Sequence, residues 1–374
     1  MKIYLLSENL QGKLSFVNRA VSLKNQLPIL SNILLKAKGG NLKISSTDLE
    51  IGIQTEIPAN VEEEGGITVP AKTFSELINS LPCDEKISIE TVNNNLKIGT
   101  QKTKSLLQTI AEDEFPKLYE EKGEKILTLS KETLYKNFSS VIFAASTDSG
   151  RPSLSGVLMK RKKNGFSLVA TDGYRLSLKD FNIVLKKEEK EEKDSLLIPA
   201  RVFRELITLK EQDEDINIFV SKKSNQILFE QNQTILVGRL IDALYPPYEK
   251  IIPTSFLTSA SFDKEEMQKA VKICSIFARE SANIIKISIK KDKMIISANT
   301  PSMGENTVDV EAKIIGEENE IAFNARYLLD LFSNTQDDEM IFEMTGALNP
   351  GVFKQKNNPD FLHIIMPIRV QNSE

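Results

Sequence analysis

One motif recurs three times along the chain, and that recurrence limits the fold more than any other feature. Val69-Pro70-Ala71-Lys72-Thr73-Phe74-Ser75-Glu76-Leu77-Ile78 is echoed by Ile198-Pro199-Ala200-Arg201-Val202-Phe203-Arg204-Glu205-Leu206-Ile207. A fainter copy reads Phe323-Asn324-Ala325-Arg326-Tyr327-Leu328-Leu329-Asp330-Leu331-Phe332. The alanines lie 129 and then 125 residues apart in a chain of 374. A unit of about 125 residues is an ordinary domain. A period that long means tandem domains rather than a solenoid.

Other elements keep the same step. Leu10, Leu14, Val17 and Val21 form a helical stripe, as do Leu134, Phe138, Val141 and Ala145, and then Met267, Val271 and Cys274. Ser130-Lys131-Glu132-Thr133 opens the second of these helices with a capping-like start, and Phe262-Asp263-Lys264-Glu265-Glu266 opens the third. Asn41 to Ser45, Lys86 to Glu90, Leu96 to Ile98, Ile216 to Val220 and Ile285 to Lys290 alternate polar with apolar residues. That alternation belongs to antiparallel strands with one buried face. Gly39-Gly40, Asn93-Asn94-Asn95 and Lys162-Lys163-Asn164-Gly165 are turn chemistry between strands. Thr47-Asp48, Thr171-Asp172 and Asn299-Thr300 echo one another, as do Phe115-Pro116 and Tyr245-Pro246. The reading is an α+β chain of three tandem copies, each with two helices on antiparallel sheet, bounded at 1–124, 125–256 and 257–374.

Composition removes several functions. The single histidine, His363, precludes a multi-histidine zinc site, and it sits in a strand-like segment. Cys83 and Cys274 fall in different repeats and read as unpaired thiols of a reducing cytosol. No apolar run approaches a bilayer's thickness. Net charge is −4 with pI ≈ 5.5, unlike a simple basic nucleic-acid binder, though a local basic surface remains open. No phosphate loop, dinucleotide fingerprint or nucleophile elbow is present in the sequence. Asp48 and Asp172 repeat at equivalent places after a threonine, which favours turn capping over catalysis. The run 186–194 reads as a solvated loop. A binding scaffold with no catalysis, cofactor or metal is expected. The rivals are a peptide-binding adaptor of the same architecture and an enzyme with a carboxylate site in a cleft.

Four segments together carry a resemblance: Pro28-Ile29-Leu30-Ser31-Asn32, Ser46-Thr47-Asp48-Leu49-Glu50, Ala170-Thr171-Asp172-Gly173-Tyr174-Arg175-Leu176-Ser177, and Ile364-Ile365-Met366-Pro367-Ile368-Arg369-Val370, with the threefold repeat. In these the chain resembles the beta subunits of bacterial DNA polymerase III, the sliding clamps, from Met1 to Val370. The resemblance implies a head-to-tail homodimer, six domains closing a ring around duplex DNA, in the cytoplasm and away from membranes. It implies as partners a clamp loader, the replicative polymerase alpha subunit and other proteins carrying short clamp-binding peptides. It places a peptide pocket on Leu154, Thr171, Gly173, Tyr174, Arg175, Leu176, Pro246, Lys250, Ile251, Asn324, Tyr327, Leu348, Ile365, Met366, Pro367, Ile368 and Arg369. Tyr174 replaces a common histidine, Lys250 a common arginine, and Pro247 a common aspartate. The dimer contacts fall on Leu107, Ile276 and Phe277. Candidate DNA contacts are Lys24, Lys72, Arg151, Arg201 and Arg326. Of these, Lys72, Arg201 and Arg326 share one repeat position.

Overall fold

Among the described residues, six α-helices form where an apolar stripe recurs at helical spacing: α1 (Ser7–Val17), α2 (Ala71–Asn79), α3 (Lys131–Ile142), α4 (Ala200–Ile207), α5 (Lys264–Ala278) and α6 (Ala325–Ser333). They start where the sequence marks starts. The Asp263 carboxylate accepts from Glu266 N at 2.8 Å, and Asn324 Oδ1 accepts from Arg326 N at 2.9 Å. Ser130 Oγ likewise accepts from Thr133 N at 3.2 Å. The first stripe is shorter than the periodicity implies. Helix α1 stops at Val17 and a 3₁₀ turn over Asn18–Ala20 follows. The computed structural model describes residues 1–22, 27–148, 150–183, 195–209 and 214–369; Lys24 and the charged run 186–194 lie outside these.

The chain divides into two compact units, Met1–Leu134 with Arg201–Leu240, and Tyr135–Ala200 with Ile241–Glu374. The first unit holds two antiparallel sheets. The smaller runs Asn60–Glu63, Lys2–Leu6, Lys86–Val92, Asn95–Gly99, Lys104–Gln108. The larger runs Glu124–Leu129, Ile216–Ser221, Gln226–Gln231, Thr234–Arg239, Ile51–Pro58, Asn41–Thr47, Asn32–Lys38, Gly65–Pro70. Leu10, Leu14 and Val17 of α1 and Phe74 and Ile78 of α2 are buried, with Ile3, Leu35, Ile44, Ile53, Ile87 and Ile89 from the strands.

The second unit is built on one twelve-stranded antiparallel sheet. Its order is Ser195–Pro199, Gly156–Lys162, Gly165–Thr171, Arg175–Asn182, Asn358–Ile365, Gly351–Gln355, Glu339–Met344, Thr258–Asp263, Gly304–Gly316, Lys293–Thr300, Ile284–Ile289, Asn319–Asn324. Helices α5 and α6 supply Met267, Val271, Cys274, Leu328, Leu331 and Phe332 to a core that also takes Phe342, Phe353, Phe361 and Ile365. A separate cluster contains Leu158, Val169, Leu176, Tyr248, Val352 and Ile364. The two-residue period of a strand explains the division: Ile364 and Ile365 are neighbours in sequence and join opposite clusters.

In both units the sheet runs from one sequence repeat into the next. Residues 234–238 pair with 51–55, and residues 361–365 pair with 175–179. In each case the last strand of the later repeat lies against the strand that follows the Thr-Asp turn of the earlier one. Of the counterparts of these strands, one lies at a sheet edge and the other is open along part of one side. Lys104–Gln108 pairs only with Asn95–Gly99 among the described residues. Gly304–Gly316 pairs with Lys293–Thr300 through residues 304–311, but turns to Thr258–Asp263 only from residue 312 onward.

Candidate peptide site and basic positions

The turn at 171–175 is built by its own side chains. Thr171 Oγ1 donates to Arg175 O at 2.6 Å and accepts from Gly173 N at 3.1 Å. Asp172 Oδ1 accepts from Tyr174 N at 2.9 Å and Arg175 N at 3.0 Å. Gly173 takes φ +94°, a region that disfavours a Cβ. The aspartate is thus a turn cap, as its repetition implied. Loop 47–51 repeats the design. Asp48 Oδ1 accepts from Glu50 N and Ile51 N, and Leu49 takes the positive φ of 77°.

Arg175 leaves this turn and becomes the centre of a network. Its Nε donates to Asp172 Oδ2 at 3.1 Å, its Nη1 to Asp330 Oδ2 on α6 at 2.6 Å, and its Nη2 to Phe143 O at 2.8 Å. The guanidinium stacks over the Tyr327 ring, 4.7 Å from the centroid, and lies 5.5 Å from that of Phe143. Its side chain is only 10% exposed. Asp330 and Phe143 were not marked by the sequence reading. The available signal was Asp330 one helical turn beyond Arg326 on the same helix.

The structure separates the expected lining residues. Exposed surface comes from Tyr174, Lys250, Ile251, Leu348, Met366 and Arg369, with Leu154, Pro246, Asn324, Tyr327, Pro367 and Ile368 half-buried. Leu154 belongs to a 3₁₀ turn over Pro152–Leu154 rather than to a strand. Leu176 and Thr171 are buried, Leu176 in the cluster with Tyr248 and Ile364. Ile365 is turned the other way, fully buried in the helix-side core, so it presents no surface for a ligand. Its neighbour Ile364, opposite Leu176 in register and also buried, joins Leu176 and Tyr248 in the other cluster. Asn324 is committed to capping α6. The C-terminal segment is anchored at two amides: Met366 N donates to Tyr174 O and Ile368 N to Ala322 O, both at 2.8 Å. Burial, then the charge of Glu249, pushes the Tyr248 phenol up to about 12.

Behind this surface lies His363, fully buried. Its Nδ1 is 2.6 Å from Ser177 Oγ, and its ring lies 5.3 Å from that of Phe143. Burial, and secondarily the Arg175 charge, holds the imidazole pKa well below its usual value.

The basic positions fare unequally. Lys72, Arg151 and Arg326 are exposed. Arg201 is engaged within the chain: its guanidinium pairs with Asp48 Oδ2 and donates to Arg19 O at 3.2 Å, so its charge is offset by a carboxylate. Arg19 in turn pairs with Glu205 at 2.9 Å. At the expected dimer contacts, Ile276 is 45% exposed whereas Phe277 packs against the core. Leu107 is half-buried and its neighbour Leu106 is 63% exposed. The alternation along Lys104–Gln108 thus gives the outward position to Leu106.

A buried neutral imidazole makes stability depend on pH. The unfolded chain binds a proton below pH ~6.5 that the folded chain refuses, so stability falls as pH drops through that value toward the depressed folded pKa. The slope is about 1.4 kcal/mol per pH unit. Because His363 is the only histidine, thermal unfolding at pH 7.5, 6.5 and 5.5 isolates it. His363→Gln is expected to flatten that slope. An unchanged slope in the variant would place its origin elsewhere.

Comparison with known proteins agrees across the chain. Family models described as the N-terminal, central and C-terminal domains of the DNA polymerase III beta subunit match residues 1–119, 128–247 and 249–369. The beta sliding clamp of Synechococcus elongatus is 29% identical over 100% of both chains, and that of Staphylococcus aureus 30% identical over 94% of each. The crystal structure of the DNA polymerase sliding clamp from Bacillus subtilis superposes with TM-score 0.93 at 27% identity, covering 99% of this chain and 100% of that one.

Proposed function

This chain belongs to the DNA polymerase III beta subunit family, the beta sliding clamps, and on that premise we propose that two copies join head to tail into a closed ring around duplex DNA. The chain is a processivity subunit and not an enzyme. Three clamp domains, divided at 1–124, 125–256 and 257–374, would each contribute two helices to the ring. The observation that carries the reading is the repeated sheet junction. The last strand of the second repeat pairs with the first repeat, and that of the third with the second. The last strand of the first repeat, Lys104–Gln108, has no such partner within the described chain. The corresponding place in the third repeat, residues 304–310, has an open side. A second copy completes both edges by the rule already used twice.

Charge suits this joint. Lys102 and Lys104 lie on one edge, and Glu305, Asp309 and Glu311 on the other, all exposed. The exposed apolar side chains are Leu106 on the first and Ile273, Ile276 and Met303 near the second. Leu106→Asp combined with Ile276→Asp is expected to yield folded monomers, because each places an unpaired charge in the closed joint. Sedimentation of an intact dimer would reject the assignment.

DNA is held by enclosure and by phosphate contacts from Lys72, Arg151 and Arg326, without reading sequence. Lys24, outside the described residues, completes that set. The clamp loader would open the ring. No helix among the described residues is long and apolar enough to cross a membrane, and a cytoplasmic site of action fits. The direct test is topological: after loading, the protein should stay on nicked circular DNA and run off when the circle is linearised. Equal retention on both forms would rule out encirclement.

The peptide site is proposed on the surface around Thr171, Leu176, Ile251 and Met366, with Gly173, Tyr174, Tyr327, Leu348 and Ile364 around it. An aliphatic or aromatic anchor from the polymerase alpha subunit or another partner would enter there, and a methionine wall adapts to several shapes. Removal of one wall in a small interface typically costs ~1–3 kcal/mol, roughly ten- to hundred-fold in affinity. Truncation before Met366 is expected to abolish binding of a labelled polymerase-derived peptide while the dimer persists. Unchanged titration of the truncated chain would move the site elsewhere.

A further inference from the structure

Arg201 and Arg175 occupy different places in their repeats, yet their side chains make the same bonds. Arg201 stands second in helix α4, and Arg175 follows the turn at 171–175. Arg201 pairs with Asp48 Oδ2 and donates to Arg19 O; Arg175 bonds Asp172 Oδ2 and donates to Phe143 O. Asp172 follows Asp48 by 124 residues, and Phe143 follows Arg19 by 124. The acceptors are therefore the same two groups of successive repeats: the free oxygen of the turn-capping aspartate and a carbonyl just past the repeat's first helix. In one copy the guanidinium arrives from the helix of the next repeat, and in the other from the turn itself. A second correspondence closes each site. Glu205 and Asp330, 125 residues apart at equivalent positions of α4 and α6, pair with Arg19 and Arg175.

We propose that this is one guanidinium site built twice, and that it locks each pair of consecutive repeats by fixing the Thr-Asp turn of one against the second helix of the next. A planar guanidinium suits the task because it can bond a carboxylate and a carbonyl at once; an ammonium on a flexible stem holds the geometry less firmly. The turn-cap aspartates use Oδ1 for the turn's own amides and keep Oδ2 for the arginine, so turn shape and junction are fixed by one carboxylate. The third repeat is built differently. Thr300 stands where the aspartate would, and its hydroxyl donates to Phe277 O at the end of α5. There the helix-end carbonyl is satisfied inside the repeat and no carboxylate is offered. In the second copy the locked turn carries Tyr174, whose carbonyl anchors Met366. Arg175 is thereby a positioning residue for the peptide surface; this last step rests on the function proposed above, while the lock itself does not.

The test is amide hydrogen exchange on the full chain, wild type against Arg201→Ala, Arg201→Lys and Arg175→Ala. Loss of a charge-assisted bond of this kind should speed opening of the turn it holds by about tenfold. Arg201→Ala is expected to do so at Glu50 and Ile51, leaving Tyr174, Arg175 and the remote strand Lys86–Val92 unchanged. Arg201→Lys should fall between wild type and alanine. Arg175→Ala should speed Tyr174 and Arg175 and weaken binding of the polymerase-derived peptide, with Glu50 and Ile51 unchanged. Unaltered turn exchange in either alanine variant overturns the lock, as does a uniform acceleration across the chain. Loss of retention on circular DNA by Arg201→Ala with unaltered turn exchange also overturns it, and returns Arg201 to the DNA contacts. Local acceleration at Tyr174 with unchanged peptide affinity overturns the positioning role and leaves the peptide reading to the truncation test.

Discussion

Antiparallel pairing between the edge strands of successive repeats is the constraint on which the rest depends. A repeat of about 125 residues with its own sheet has two edges, and an exposed edge invites pairing with another chain. Here the edges are consumed inside the molecule at two junctions, 51–55 with 234–238 and 175–179 with 361–365. The pairing welds backbone to backbone. Thr55 and Thr234, from different repeats, share a hydroxyl hydrogen bond at 3.0 Å beneath it. The compact units reflect the weld: strands of the central repeat are divided between them, Ile216–Ser221 in one and Gly165–Thr171 in the other.

Once strands are joined this way, the position of everything else at a junction follows. The Thr-Asp turn precedes the pairing strand, so it must lie beside the neighbouring repeat's second helix. The last strand of the later repeat ends beside the turn, which brings Met366 N to Tyr174 O. The surface proposed for the peptide is a by-product of the weld: a turn, the segment 366–369 and an aromatic-proline connector gathered at one strand terminus. The first junction has the turn and the weld but a different filling. Leu118 lies over Gly52, where a Cβ would fall 2.0 Å from Leu118 Cδ2. Gly52 and Leu176 are register equivalents, opposite Thr47 and Thr171. The first junction is packed by its own connector at the point where the second offers Leu176 beneath Ile364 and Tyr248.

Much of the local structure around the candidate site was legible in order along the chain. The repeats, the helix stripes, and the turn role of Asp48 and Asp172 follow from residue type and spacing, while the motif at 170–177 carried its meaning through the resemblance to a family. Side-chain direction was less accessible. Ile365 and Ile364 are equally apolar, and only register against Arg175 and Leu176 decides which faces the connector. The fate of Arg201 was invisible for a similar reason. Its equivalence with Lys72 and Arg326 suggests one shared role, but its partner Asp48 is more than 150 residues away in sequence.

What the sequence alone determined is the unit and its number, because periodicity, capping and turn chemistry are local and act over a few residues. It also determined what the chain lacks for chemistry, since one histidine and two distant cysteines limit the available sites. The tertiary structure decided which edges are used and which stay open, which of two adjacent isoleucines is covered by helices, and which arginines are spent on junctions. Those outcomes depend on strand register and on contacts between residues far apart in the chain, and residue spacing carries no record of either until the strands have paired.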